Sequence, residues 1–80
     1  MRRFIAITFT QHATTRMQQR RVLRTDVEAV LEDGECAYDE ENGTWNFEGP
    51  SEFGRAIRVI VIDLDGEARV ITVMRLRKAL

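Results

Sequence analysis

The side chains best suited to chemistry lie in residues 10–20, which read TQHATTRMQQR. In a helix, His12, Arg16 and Arg20 would be spaced one turn apart and lie on nearly the same side. An imidazole transfers protons near neutral pH, and guanidinium groups bind phosphate oxygens through paired hydrogen bonds. These are the groups that cleavage of a phosphodiester without a metal requires. The same spacing also fits an ordinary solvated helix face, so both interpretations stay open at this point.

Two helices are predicted in the first half of the chain. Thr10 is a good N-cap, so the first helix is expected to run from there to about Arg20 or Arg21. The sequence from Thr25 to Glu28 fits a capping box that opens a second helix, and Gly34 fits its C-cap.

The remaining sequence has the pattern of β-strands. A short strand is expected before the first helix, over residues 3–8. Asn42-Gly43 and Asp65-Gly66 are tight-turn sequences, and each is predicted to join two antiparallel strands. We therefore expect a single α+β domain over residues 1–80, in which both helices pack on one face of a four-stranded antiparallel meander sheet. The meander strands are predicted over residues 35–39, 44–48, 55–64 and 67–77.

The apolar residues of these elements define the expected core. Residues 59–62 are apolar on both faces, which predicts a central, buried strand. Ala13 and Met17 are the only apolar stripe of the first helix, so it should be a weakly buried surface helix. Cys36 is expected to be a small buried side chain. The expected core residues are Trp45, Phe47, Ile57, Val59, Val61, Ile71 and Val73, with Val27, Val30 and Leu31 from the second helix.

The net charge of −1 conceals a separation of charge along the chain. Residues 1–31 hold six arginines and two acids, residues 32–54 hold eight acids and no base, and residues 55–80 hold six bases and three acids. A basic and an acidic face are therefore expected. Arginine supplies eleven of the twelve basic residues and binds phosphate better than lysine does, although a high-GC coding sequence produces the same bias.

Several classes of protein are not favoured by the composition. One cysteine permits no disulfide within the chain. There is no apolar run of membrane-spanning length and no secretory signal, which favours the cytoplasm. One histidine and one cysteine without close ligand spacing predict no metal site, and no cofactor-binding motif is present.

Three motifs resemble those of a bacterial family, the domain-of-unknown-function 4258 family. Residues 10–20 match its pattern T-x-H-A-x-x-R-M-x-x-R. Residues 22–34 are similar to its helix that ends in V-L-x-x-G, and residues 71–75 carry its closing I-T-V-x-R. The family often has glycine after the first motif, where this chain has Arg21, so the exit of the first helix is expected to differ.

The resemblance implies a fold and a function. The family is similar to small toxin domains of the barnase, colicin and RelE type, which have two helices followed by a four-stranded antiparallel sheet. Such domains cleave RNA without a metal and act beside a cognate antitoxin. We therefore expect an endoribonuclease with RNA as substrate, an antitoxin as partner and no cofactor. The alternatives are a non-catalytic module that binds RNA or protein, and a family member that has lost its activity.

Residue roles follow from the chemistry of RNA cleavage by its own 2′-hydroxyl. His12 is expected to be the acid or base, because the helix N-terminus and Arg16 both favour a neutral imidazole that can accept a proton. Arg16 and Arg75 complete the expected catalytic group, and Arg20 is expected to bind the substrate.

Two further substrate-binding candidates lie on the predicted central and last strands. Arg58 is expected to bind the substrate unless a carboxylate such as Glu48 pairs with it and makes it structural. Thr72 is the other candidate, with a hydroxyl suited to a phosphate oxygen. Strict alternation places Thr72 and Arg75 on opposite faces, so they converge only across a bulge or at a strand end.

Overall fold

A computed structural model describes residues 4–51 and 54–76 of the chain. The predicted order of one strand, two helices and four strands is confirmed. The helices are α1 (Gln11–Arg20) and α2 (Arg24–Asp33), and the strands are β1 (Ala6–Phe9), β2 (Glu35–Asp39), β3 (Thr44–Pro50), β4 (Ala56–Leu64) and β5 (Glu67–Arg75).

All five strands form one mixed sheet in the order β1-β5-β4-β3-β2. Strands β2 to β5 make the predicted antiparallel meander, but β1 adds to the edge of β5 in parallel, with Phe9 opposite Val70. The expected four-stranded antiparallel sheet is therefore wrong. Pairing with β5 satisfies the backbone groups of β1 and brings Ile7 and Phe9 against the core.

A β-bulge interrupts the pairing of β4 with β5. Ile60 lies opposite Thr72 and Val61 lies opposite Val70, so Ile71 is an extra residue on β5. Val70 and Val73 are both fully buried as a result, whereas Ile71 is only half-buried. The prediction of Ile71 as a core residue is wrong because strict alternation does not hold across the bulge.

The core lies between the sheet and both helices, as expected. α1 contributes the buried Ala13 and the half-buried Met17, and its prediction as a weakly buried helix is confirmed. Trp45 packs against the core but is only partly buried. The buried residues predicted from the sequence are Phe47, Ile57, Val59, Val61, Val73, Val27, Val30 and Leu31; Val22, Ala68 and Val70 are additional.

The opposite face of the sheet carries no helix formed by residues 4–51 or 54–76. Ile60 and Ile62 of β4 lie on that face and are half-buried, so the strand is central but buried on one side only. Cys36 is exposed, which contradicts its prediction as a buried side chain, because β2 forms an edge of the sheet.

The two helices begin differently. The Thr10 side chain accepts a hydrogen bond from the Ala13 N–H at 3.1 Å, which confirms the predicted N-cap. α2 begins one residue before Thr25 and has Leu23 at its N-cap, so the predicted Thr25 to Glu28 capping box is wrong. Asp26 instead accepts a hydrogen bond from the Leu23 N–H at 2.8 Å. A carboxylate at this position stabilises a helix N-terminus.

Candidate functional site

Helix α1 presents three polar side chains in a row. Arg16 Nε donates to His12 Nε2 at 3.5 Å, and Arg16 Nη1 donates to Gln19 Oε1 at 3.2 Å. In this contact Nε2 is the hydrogen-bond acceptor. His12 is exposed and Arg16 is half-buried. The row therefore places a proton acceptor beside a fixed positive charge on an open surface.

Four arginines meet where this row ends, around a concavity of about 390 Å³ that we call the arginine site. Arg20 and Arg21 come from the end of α1, Arg55 from the residue before β4, and Arg75 from the end of β5. Gln19 completes the lining. No acidic side chain lines the concavity within the described part of the chain, so the local charge is strongly positive. An anion with several oxygens, such as phosphate, is the complementary ligand.

The bulge in β5 holds α1 in position. The Thr10 N–H donates to the Val70 carbonyl at 3.0 Å, and the Thr10 hydroxyl donates to the Ile71 carbonyl at 3.2 Å. The same hydroxyl oxygen caps α1 at Ala13, so one threonine ties the start of the helix to the sheet. This linkage fixes where His12 stands relative to β5.

The sequence-predicted residues separate into two groups. Arg20 and Arg75 come together in the arginine site, and the α1 row connects His12 and Arg16 to it through Gln19. Arg58 and Thr72 lie on the sheet face that carries no helix, because they alternate with the buried residues of their strands.

The ion pair of Arg58 gives it a structural role. Its Nε donates to Glu48 Oε2 across the β3–β4 pairing. Arg58 and Thr72 thus stand apart from the α1 row and the arginine site.

Three residues of the arginine site were not among the predicted site residues, namely Gln19, Arg21 and Arg55. Arg55 has the same parity as Ile57 and Val59, so alternation along β4 indicates the helix-covered face. Arg21 lies one helical turn after Met17, an apolar residue, and so falls outside the spacing of His12, Arg16 and Arg20. No pattern in the sequence therefore indicates its role.

An apolar groove adjoins the arginine site, and Arg21 lines both. Its walls include Phe9, Met17 and Leu23, and its volume is about 760 Å³. The Arg24 guanidinium carbon lies 5.4 Å from the centre of the Phe9 ring, a cation–π geometry. The groove therefore offers a flat ring, a guanidinium plane and apolar walls next to a strongly basic surface.

The shifted carboxyl groups lie outside both concavities. The Asn42 side chain donates a hydrogen bond that lowers the pKa of Asp39 in the β2–β3 hairpin. The Thr8 hydroxyl lowers the pKa of Glu67 by donating to it at 2.6 Å, with Arg69 adding a smaller effect in the same direction. Both shifts stabilise the fold rather than prepare a group for chemistry.

An aromatic pair lies on the first hairpin. The Tyr38 and Trp45 ring centroids are 4.9 Å apart, and Tyr38 is about half-exposed. Trp45 packs on the core, as expected, and Tyr38 covers it. The pair belongs to the β2 edge of the sheet, whereas the arginine site is built from α1, β5 and the start of β4.

Within residues 4–51 and 54–76, no three His, Cys, Asp or Glu side chains are arranged to hold a metal ion. Neither described helix is long and apolar enough to cross a membrane.

One comparison with known proteins identifies the family. The family described as a domain of unknown function (DUF4258) matches residues 9–75, which include α1, α2 and the strands β2 to β5. No curated protein and no solved structure matches the chain. The match covers most of the sequence, so the chain belongs to the DUF4258 family.

Proposed function

We propose that this protein is an endoribonuclease that binds single-stranded RNA through the arginine site. It cleaves the RNA without a metal, and His12 is the group that transfers the proton. The observation that supports this proposal is the continuous basic surface formed by the α1 row and the arginine site. It combines one proton acceptor with five guanidinium groups, and no carboxylate lines its concavity in the described residues.

Binding rests on the arginines. The eight residue steps from His12 to Arg20 rise about 12 Å along a helix, so an RNA strand lying along α1 would place different phosphates at its two ends. Arg16 then faces the reacting phosphate, while Arg20 and Arg75 hold a neighbouring one. Bidentate guanidinium contacts suit this task because they fix the position of the backbone as well as its charge.

Cleavage rests on His12. When Arg16 turns to the phosphate, its hydrogen bond to His12 Nε2 is broken. Nε2 then accepts the proton of the 2′-hydroxyl, and the resulting oxygen attacks the adjacent phosphorus. Arg16 stabilises the negative charge that develops on the phosphoryl oxygens. The bond to the 5′-oxygen breaks, and that oxygen takes up a proton from solvent water, which leaves a 2′,3′-cyclic phosphate and a 5′-hydroxyl end.

The first test is cleavage of a labelled single-stranded RNA in excess chelator. We expect the wild-type protein to produce 2′,3′-cyclic phosphate ends, and His12→Ala to lower the rate by about 100-fold or more, which is typical for loss of an acid–base group. Gln11→Ala removes a neighbouring exposed side chain of α1 and should retain the wild-type rate. Equal rates for wild type and folded His12→Ala would refute the proposed role of His12.

The second test separates the arginine site from general charge. Arg75→Gln should weaken RNA binding and reduce the dependence of log Kd on log salt by about 0.7, the value for one phosphate contact in a single strand. Arg58→Gln removes the same charge from the opposite face of the sheet and should have little effect. An equal loss of RNA affinity in the two variants would show that binding depends only on the overall charge of the protein.

A non-catalytic RNA-binding module is the second candidate. It is favoured by the fact that, among the described residues, the hydrogen-bond partner of His12 is Arg16, which offers no second proton-transfer group for the departing oxygen. Salt-dependent binding by the arginine site without cleavage would support this candidate.

A toxin function would add a protein partner and a cytoplasmic location to the proposal. An antitoxin would have to cover the arginine site, so its contacting surface should be acidic. Co-expression with the reading frame next to this one, followed by co-purification, would test for such a partner.

A further inference from the structure

The apolar groove remains unused by the proposed function. Leu23 lines the groove and is 57% exposed, although it is a large apolar side chain. The volume of about 760 Å³ falls within the range of small-ligand pockets, roughly 300–1,000 Å³. Arg21 lines this groove and the arginine site, so the two concavities form one continuous surface.

We propose that the apolar groove binds a nucleobase of the same RNA strand whose phosphates occupy the arginine site. This inference rests on the proposed function, because it needs an RNA strand to be bound. It adds a base-binding subsite to a surface that otherwise contacts only the backbone.

The lining supports a base rather than a purely aliphatic ligand. Bases in single-stranded RNA stack on aromatic rings and on the planes of guanidinium groups. Phe9 supplies an aromatic ring and Arg24 supplies a guanidinium plane, and the guanidinium carbon lies 5.4 Å from the centre of the ring. A base can therefore stack beside the Arg24 guanidinium or replace it over the Phe9 ring. Met17 and Leu23 enclose the remaining apolar surface.

Two polar residues of the groove can select among bases. Thr14 and Gln18 lie one turn apart on α1 and both line the groove. The Gln18 side-chain amide makes no hydrogen bond to the described residues and offers both a donor and an acceptor to a base edge. The subsite is therefore expected to discriminate between bases, whereas the arginine site is not.

An apolar peptide is the main alternative occupant. A peptide would contact the walls formed by Met17 and Leu23. It would not explain why Arg21 joins the groove to the arginine site. The charge at that end favours a ligand whose apolar part is attached to an anion, as a base is attached to its phosphate.

The experiment compares two oligomers of equal charge. One is a 2′-O-methyl oligoribonucleotide of about a dozen uridines, which cannot undergo attack by a 2′-hydroxyl. The other has the same backbone without bases. We expect the wild-type protein to bind the oligomer with bases about tenfold more tightly, since stacking one base contributes on this scale.

The variants locate this preference in the groove. Phe9→Leu removes the aromatic face but keeps an apolar side chain, and it should reduce the preference to less than about threefold. Leu23→Ser alters an exposed position, keeps a good N-cap for α2, and serves if Phe9→Leu does not fold. Arg75→Gln should weaken both oligomers equally and leave the preference intact.

The outcomes distinguish this inference from the proposed function. If neither oligomer binds, the proposed function is wrong, and the inference with it. If both bind equally to the wild-type protein in a salt-dependent way, RNA binding stands but the groove holds no base and is left for another occupant such as a peptide. A preference that survives in folded variants of the groove also overturns the inference.

Discussion

Arg21 carries two roles that conflict. It ends α1 in a left-handed conformation, with φ 55° and ψ 45°, where glycine is the residue without steric cost. Arg21 also lines the arginine site and the apolar groove. The chain therefore accepts backbone strain at the residue that connects its two concavities.

Replacing Arg21 should separate these roles. Arg21→Gly is expected to raise the free energy of unfolding by about 1 kcal/mol, because the left-handed conformation is no longer strained. It should also weaken RNA binding, because one guanidinium is lost. Arg21→Ala should weaken RNA binding equally without the gain in stability. Urea unfolding and RNA titration of both variants measure the two effects, and equal stability of the two would contradict the role of strain.

Gly34 is required for a different reason, namely lack of space. A Cβ at this position would lie 2.5 Å from the Val30 carbonyl oxygen and 2.8 Å from the Glu48 carbonyl oxygen. Both atoms belong to the backbone, so neither can move away easily. We expect Gly34→Ala to lower the free energy of unfolding by about 2 kcal/mol or more. The exposed helix substitution Glu32→Ala should change it by less than about 0.5 kcal/mol. Similar urea midpoints for the two variants would argue against this close contact.

At the scale of the elements, α1 depends on Thr10 both for its first turn and for its attachment to β5. Thr10→Ala loses the cap at Ala13 and the bond to the Ile71 carbonyl, so we expect a loss of about 1–2 kcal/mol. Thr10→Ser retains the hydroxyl and should retain most of the stability. Because α1 carries His12, Thr10→Ala should also slow RNA cleavage more than its effect on folding explains. Thermal unfolding and cleavage rates, measured on both variants, test this prediction.

Local signals in the sequence were sufficient for some elements and not for others. The start of α1 follows from Thr10, and the β4–β5 hairpin follows from Asp65-Gly66, because both depend on neighbouring residues. The partner of β1 could not be predicted, since an apolar strand does not indicate which edge it will join. No residue type near Ile71 indicates the bulge either. Because of the bulge, Val70 is buried in the core instead of the predicted Ile71.

The same distinction applies to the candidate site. The spacing of His12, Arg16 and Arg20 predicts a shared helix side, and the structure shows the contact between His12 and Arg16. The meeting of Arg20 with Arg55 and Arg75 depends on the packing of α1 against the sheet, which no local pattern specifies. Arg58 was predicted to bind the substrate unless a carboxylate such as Glu48 pairs with it, and the structure shows that pairing.

At the scale of the whole molecule, the fold should lose stability in acid through two carboxyl groups. The pKa values of Asp39 and Glu67 are both lowered in the folded protein, from ordinary values of 3.8 and 4.5. A folded-state pKa below the unfolded value contributes stability above the unfolded pKa, and this contribution is lost as the pH falls through the folded pKa. We therefore expect stability to decrease as the pH falls below about 4.5.

Glu67→Gln tests this dependence. The variant should be less stable than the wild-type protein near neutral pH, and the difference should shrink as the pH is lowered and the wild-type carboxyl becomes protonated. Glu32→Gln, at an exposed carboxyl on α2, should show a constant difference. Urea unfolding at a series of pH values measures these differences in the free energy of unfolding. A difference for Glu67→Gln that does not vary with pH would contradict the role of the Thr8 hydrogen bond.

The parallel pairing of β1 with β5 also has a consequence for synthesis of the chain. β1 and α1 contact β5 directly, although some 60 residues separate Thr8 from its partner Arg69. Such distant contacts slow folding, because a long segment must be ordered before they can form. Until β5 has emerged from the ribosome, β1 lacks its partner strand and the arginine site lacks Arg75. A nascent chain of this kind would therefore reach the solvent with His12 exposed before the arginine site is assembled.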